Sequence, residues 1–343
     1  MVNKITEKYF KENNFAPRIR EIIQEVSQKT GFIVEEDLFS GKIYDKNNIW
    51  SQSCRGTWKN APAVLKIQGL KLEMEEYEIH IGFEKQSRSR MIRLPKMYVY
   101  EPWRFEKKYG YMIMEYIEAP RIFRMPFATD QEMDDFVKVY ADYRTNSAYK
   151  AWFEPETRDT LHFTCERVDN WRKICESKAR LPLADYPPYL IRFYPMILRH
   201  AINIPMVFSH GHLTANDIFK LKDGGYVFMS NLLWSYRPQW YDLAFNIWAC
   251  FLHIRDNNLS FDDWLSYYEK WLLKYRTIPL VKEDPDFEHK MTVNMLERTM
   301  GAIMTDIGTN DTFAEEPNNQ YFKHLLNLHQ QFFNFLMKQL ERG

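Results

Sequence analysis

Along the chain, apolar and polar positions alternate in two different ways, and the change comes once. From about residue 31 to 118 the dominant pattern is that of strands. The run Ile49-Trp50-Ser51-Gln52-Ser53-Cys54-Arg55 leads to Lys59-Asn60-Ala61-Pro62 and then to Ala63-Val64-Leu65-Lys66-Ile67. Two β-rich runs around a short Asn/Pro turn predict a hairpin. Over 70–86, Leu72, Glu76, Ile79 and Phe83 recur at spacings of three and four, one face of a helix. Residues 97–100 and 111–117 supply two further strands around a charged turn.

After Pro120 the helical period takes over, with helices predicted over 130–143, 165–177, 189–201, 242–253, 261–275, 290–304 and 319–340. One β insertion interrupts them: 217–221 and 226–229 flank Asp223-Gly224-Gly225, a turn whose glycines tolerate the positive φ of a tight hairpin. A leading helix is predicted over roughly 6–29. The expected class is α+β. A leading helical segment (1–30) precedes a small antiparallel sheet with one helix (31–118), and a larger, mainly helical region (119–343) follows.

Composition narrows the function classes. The 343 residues are 45% hydrophobic and 16% aromatic, enough to fill a sizeable core and too apolar for a disordered chain. Lys plus Arg number 46 and Asp plus Glu 46, and this balance argues against a nucleic-acid partner, which calls for basic excess. Four cysteines fall in no metal-binding spacing, so a reduced, cytoplasmic setting is expected. The first eight residues lack the apolar run of a signal peptide. The most apolar stretch, 243–254, holds Asn246 and His253 and is too short to cross a bilayer, so a soluble protein with no membrane partner is expected.

The candidate chemistry concentrates in Ser209-His210-Gly211-His212-Leu213-Thr214-Ala215-Asn216-Asp217, followed after the hairpin by Tyr241-Asp242-Leu243-Ala244. With the order of elements, these residues resemble the aminoglycoside phosphotransferase and choline kinase family, which has the two-lobe protein-kinase-like fold. That family carries His-Gly-Asp-x-x-x-x-Asn before a hairpin, a metal-binding Asp after it, and an Asp-Leu-Ala helix start twelve residues further on. The resemblance implies that Lys66 in Ala-Val-Leu-Lys-Ile holds nucleotide phosphates, steadied by a helix carboxylate, Glu76 or the neighbouring Glu75. It implies that Glu115, Tyr116 and Ile117 form the hinge that meets an adenine edge. Phe39-Ser40-Gly41-Lys42, with a single glycine, would be a weak phosphate-covering loop. His210 and Asp242 correspond to residues that support the loop and helix.

The departures bear on function. His212 stands at the catalytic Asp position, Asp217 at the metal-binding Asn and Ser230 at the metal-binding Asp, twelve residues before Asp242. One carboxylate remains where the family has two, and Mg²⁺ usually takes one or two carboxylates besides phosphates and water. A one-residue slip would bring Asn216 or Asn231 into use. The expectation is a pseudokinase that binds a nucleotide, small ligand or protein partner, with ATP and Mg²⁺ held weakly or not at all. Two alternatives stay open. In one, His212 acts as a base near neutral pH and Asp217 holds metal in an active small-molecule kinase. In the other, His210, His212 and Asp217 bind Zn²⁺ or Mn²⁺ as a metal-dependent hydrolase. Two further features have simpler readings. The acids Asp284, Asp286, Glu288, Asp306, Asp311, Glu315 and Glu316 read as solvated loops, and Trp264, Tyr267, Tyr268 and Trp271 as helix packing.

Overall fold

Five antiparallel strands form the sheet near the start of the chain, in the computed structural model that describes residues 15–42, 50–69, 74–152, 154, 158–177, 185–307 and 320–342. The chain divides into two compact units, Met1–Lys85 with Leu94–Glu118 and Gln86–Arg93 with Ala119–Gly343. The first holds α1 (Phe15–Thr30), β1 (Ile33–Lys42), β2 (Trp50–Trp58), β3 (Ala61–Gln68), most of α2 (Glu76–Gln86), β5 (Met97–Arg104) and β6 (Tyr109–Glu115). Its strand order is β1-β2-β3-β6-β5.

The expected hairpin is β2–β3. Its turn, Lys59-Asn60, takes positive φ at both residues, which gives two-residue hairpin turns the right-handed twist of their strands. β3 sits in the middle of the sheet and buries side chains on both faces. Leu65 and Ile67 pack under Ile19, Ile22 and Val26 of α1, and Val64 packs with Met112 and Met114 on the other face. The predicted 70–86 helix is seen from Glu76, with 70–73 outside the described residues. Residues 6–14 of the predicted leading helix, and residues 43–49 beyond Phe39-Ser40-Gly41-Lys42, also lie outside them.

The second unit is mainly helical: α3 (Asp130–Asp142), α4 (Thr160–Ser177), α5 (Pro187–His200), α6 (Tyr241–Leu252), α7 (Phe261–Tyr275), α8 (Pro279–Lys282), α9 (Phe287–Gly301) and α10 (Gln320–Arg342). A Thr129–Glu132 capping box starts α3, and a Ser260–Asp263 box starts α7. Wide π turns extend α3 over Tyr143–Ser147 and α9 over Ala302–Asp306. The aromatic stripe of α7 is core: Trp264 stacks on Phe251, with centroids 3.9 Å apart, and Trp271 packs on Phe123 and Phe136.

Two small sheets position the polar loop. β8 (Ile218–Lys220) and β9 (Tyr226–Phe228) form the predicted hairpin, and β4 (Ile92–Arg93) pairs parallel with β9. β7 (Met206–Ser209) and β10 (Ser235–Pro238) pair antiparallel and anchor the two flanks of residues 210–234. Among the described residues no helix is long and apolar enough to cross a membrane.

Candidate functional site

In the first unit the structure brings Lys66 and Glu76 together. Lys66 projects from β3 and its ammonium pairs with the Glu76 carboxylate at the start of α2. Glu76 is only 4% exposed, a burial that a carboxylate tolerates when a cation pairs with it. Glu75, the neighbouring candidate, is used elsewhere, accepting hydrogen bonds from the Tyr100 hydroxyl and from Trp103 N at 3.2 Å. One turn along α2, burial holds the His80 pKa below the usual histidine value, and the Lys66 charge acts in the same direction. The Glu76 charge acts the other way, and burial outweighs it.

The hinge candidates close β6. Glu115 N donates to Lys96 O at 2.9 Å, and its carboxylate accepts from Lys96 N at 3.1 Å. Tyr116 N reaches Pro62 O at 3.4 Å, with the Arg55 guanidinium 4.6 Å from its ring. Ile117 lies beyond the last ladder pair with β3, Ala63–Glu115, so it is no longer committed to the sheet.

In the second unit the 210–217 loop hangs on a buried hydrogen-bond frame. The Tyr143 hydroxyl donates to Asp242 Oδ2 at 2.9 Å and accepts from His210 N at 2.6 Å. The other Asp242 oxygen accepts from Gly211 N at 2.9 Å. Gly211 has φ +75°, and a Cβ there would collide with Leu233 O and stand 2.9 Å from Arg237 Nε, so glycine is required on both counts. His210 is fully buried against Phe228 and Trp234, with Nε2 on Met229 O at 2.8 Å. Burial lowers its pKa and favours the neutral ring.

Asp217 is the centre of the loop. Its Oδ2 accepts from Thr214 Oγ1 at 2.6 Å, Thr214 N at 3.1 Å and His212 Nδ1 at 3.3 Å. Its Oδ1 accepts from the Ser230 hydroxyl. Burial alone would raise the Asp217 pKa, but the hydrogen bonds from His212 and Ser230 work against it and the carboxyl lies below its usual range. Ser230 adopts a left-handed backbone (φ 57°, ψ 36°) that is sparsely populated for a residue other than glycine. His212, its side chain 40% exposed, tilts onto Phe245 with centroids 4.7 Å apart.

At the three altered positions the one carboxylate, Asp217, accepts three hydrogen bonds on Oδ2 and one, from the Ser230 hydroxyl, on Oδ1. Of the two asparagines, Asn231 is buried with its amide bonded to Phe228 O and Trp234 Nε1, and Asn216 is exposed on the 3₁₀ turn. The expected His210/His212/Asp217 metal set does not assemble. His210 Nε2 is taken by a backbone carbonyl, and among the described residues no group of three His, Cys, Asp or Glu side chains is placed to hold a metal.

Of the acids expected to be solvated, Asp286 and Glu288 are exposed, whereas Asp284 and Asp306 are half-buried. Asp284 accepts from Lys290 at 2.8 Å and from Trp240 Nε1 at 2.6 Å, which fixes α9 to the start of α6. Glu288 pairs with Arg276, and Asp306 lies against Arg298, while 311, 315 and 316 fall outside the described residues. Tyr143 and Thr214 were not singled out from sequence. Thr214 had a signal, because Thr-x-x-Asp is a capping-box pattern, and the structure closes that box. Tyr143 had none, since an aromatic at the end of an amphipathic helix reads as core.

No family model and no curated protein matches the chain. Solved structures do match, over nearly their whole length. The aminoglycoside phosphotransferase APH(4)-Ia aligns with TM-score 0.57 at 10% identity, over 93% of this chain and 98% of that one. The choline kinase LicA from Streptococcus pneumoniae aligns with TM-score 0.54 at 14% identity, over 94% and 99%. The spectinomycin phosphotransferase APH(9)-Ia, solved with ADP and spectinomycin, aligns with TM-score 0.52 at 12% identity, over 91% and 98%. At such identities the likeness is one of fold: the chain has the protein-kinase-like α+β fold shared by the aminoglycoside phosphotransferases and choline kinases, a small antiparallel N-lobe and a mainly helical C-lobe.

Proposed function

We propose that this protein is a phosphotransferase-like pseudokinase that binds a nucleotide or small ligand without efficient phosphoryl transfer. The observation that carries the reading is the Asp217 carboxylate, engaged on one oxygen by Thr214 and His212 and on the other by Ser230. Phosphoryl transfer depends on divalent cations bridging the phosphates, and a single carboxylate that already accepts four hydrogen bonds must give up some of them to serve as a ligand. In this reading Lys66, steadied by Glu76, meets the phosphates of ATP, and the backbone of Glu115, Tyr116 and Ile117 meets the adenine edge. Mg²⁺ is held weakly or not at all. The nucleotide assignment draws support from solved proteins of this fold, one of which was crystallised with ADP and hygromycin B. A protein partner, and a cytoplasmic setting consistent with the reduced cysteines, complete the proposal.

Calorimetric titration with ATP, with and without Mg²⁺, tests it. The wild type should show nucleotide affinity that Mg²⁺ does not improve, whereas His212→Asp/Asp217→Asn/Ser230→Asp should gain Mg²⁺-dependent binding. The alternative of an active kinase with His212 as base draws on its 3.3 Å contact to Asp217. Mg²⁺-dependent turnover that is lost on Asp217→Ala and on Lys66→Ala would replace the pseudokinase reading with that one.

A further inference from the structure

Next to the 210–217 loop, three arginines gather around shared aromatic rings. Phe245, on which His212 rests, carries the Arg298 guanidinium at 5.1 Å, and Arg298 also lies 3.7 Å over Trp248. Arg167 lies 5.2 Å from Trp171 and 5.0 Å from Tyr241. Arg237 stands 5.1 Å from Phe163 and 5.9 Å from the same Tyr241, and Arg298 is 5.2 Å from the same Trp171. α4, α6, α9 and β10 thus converge to bring together three cations that are 167, 237 and 298 in the chain.

Two carboxylates face them, and neither is properly matched. Glu297 Oε1 is 3.3 Å from Arg167 Nε, and Asp306 Oδ2 is 3.6 Å from an Arg298 terminal nitrogen, but neither contact is a hydrogen bond. Both Glu297 oxygens, Asp306 Oδ2, Arg167 NH1, Arg237 Nε and Arg298 Nε are buried with no hydrogen-bond partner among the described residues. Arg298 and Glu297 are themselves more than nine-tenths buried. Among the described residues Arg237 has no carboxylate within ion-pair distance, and burial with the Arg167 charge pushes its pKa down to about 10. Burial pushes Asp306 up to about 6. Buried donors left unmade are costly, and guanidinium forks match the planar or tetrahedral oxygens of carboxylate and phosphate. The cluster is reachable at its edge, where the Arg167 and Asp306 side chains are 23% and 27% exposed.

We propose that Arg167, Arg237 and Arg298 bind the oxyanion group, a carboxylate or a phosphate, of a small-molecule ligand held beside His212. Such a group supplies the one negative charge by which three guanidiniums exceed the two carboxylates, in the forked geometry that guanidinium donors match. The proposal deepens the functional reading by naming the ligand class, and it rests on that reading only in taking the His212 loop as the ligand side.

Thermal melting and calorimetry with inorganic phosphate and with citrate, against sodium chloride at matched ionic strength and without nucleotide or Mg²⁺, provide the test. Saturable stabilisation by either oxyanion, weakened at least tenfold in Arg298→Lys and in Arg167→Lys but not in Arg158→Lys, is expected. Lysine keeps the charge and loses the fork. If Arg298→Lys does not fold by near-ultraviolet circular dichroism, Arg167→Lys at the accessible edge carries the test. Equal effects of chloride and both oxyanions, or unchanged affinity in folded Arg167→Lys, would overturn it. A preference for phosphate over citrate, or the reverse, supports the site and identifies the group. Because no nucleotide or metal is present, this result is independent of the nucleotide titration above.

Discussion

Tyr143→Phe removes one oxygen from a fully buried site and disturbs two bonds at once. The hydroxyl donates to Asp242 Oδ2 and accepts from His210 N, so its loss leaves a carboxylate short of a donor and a backbone N–H without an acceptor. A hydrogen bond to a charged group contributes about 1.5–3 kcal/mol, and an orphaned buried donor costs about 1–3 kcal/mol. The two are coupled through a single oxygen, and Gly211 N still serves Asp242, so about 3 kcal/mol is the reasonable sum. With a urea m-value of about 2–3 kcal/mol/M, the midpoint for the second unit should fall by roughly 1 M. Tryptophan fluorescence reads this unfolding, since Trp234, Trp264 and Trp271 are all buried in that unit. Hydrogen exchange at the His210 and Gly211 amides supplies the local reading, and both should lose protection. A midpoint shift under about 0.3 M on the same scale, with those amides still protected, would refute the claim that this frame holds the loop.

Three further outcomes follow from the geometry. Lys66→Met leaves Glu76 buried and unpaired, so it should destabilise more than Lys66→Met/Glu76→Met, by at least about 1 kcal/mol in a denaturation cycle; equal values would show the pair to be uncoupled. Ser230→Asp places a second carboxylate against Asp217 and should lower the melting temperature without metal, with recovery on adding Mg²⁺; a melt indifferent to both would contradict the crowding described for that carboxylate. His329 is buried on α10 against Trp264, and burial lowers its pKa to about 4. A depressed histidine contributes stability that is complete above the unfolded pKa near 6.5 and lost as pH falls through the folded value. Up to about 3 kcal/mol should therefore disappear between pH 6.5 and 4, and His329→Phe should flatten that slope in pH-dependent melts.

Much of the architecture was legible because local signals agree with tertiary need. The period of 261–275 marked α7, and Asp223-Gly224-Gly225 marked the β8–β9 hairpin. β7 and β10 were not legible, because each is four residues long and its partner is more than twenty residues away, so nothing local selects it. Helical spacing brought Glu76 into view opposite Lys66, and only the packing of Tyr100 and Trp103 separates it from Glu75. The burial of Arg167, Arg237 and Arg298 had no sequence signal at all. Arginine ordinarily reads as surface, and the rings that cover these three come from two helices, α4 and α6, that lie far apart in the chain.

β4 is two residues long, yet it determines how the molecule comes apart. Ile92 and Arg93 pair with Tyr226 and Val227, and Tyr226 N donates to Met91 O at 2.6 Å. Just before them, Ser89 is hydrogen-bonded to Asp142 of α3. The polypeptide accordingly passes between its two units three times, after Lys85, Arg93 and Glu118. A protease nick between 118 and 119 would not release two domains. The downstream piece would leave behind the strand that covers β9, baring a sheet edge open to intermolecular pairing. During synthesis β4 likewise emerges long before β9 and must wait for it to pair.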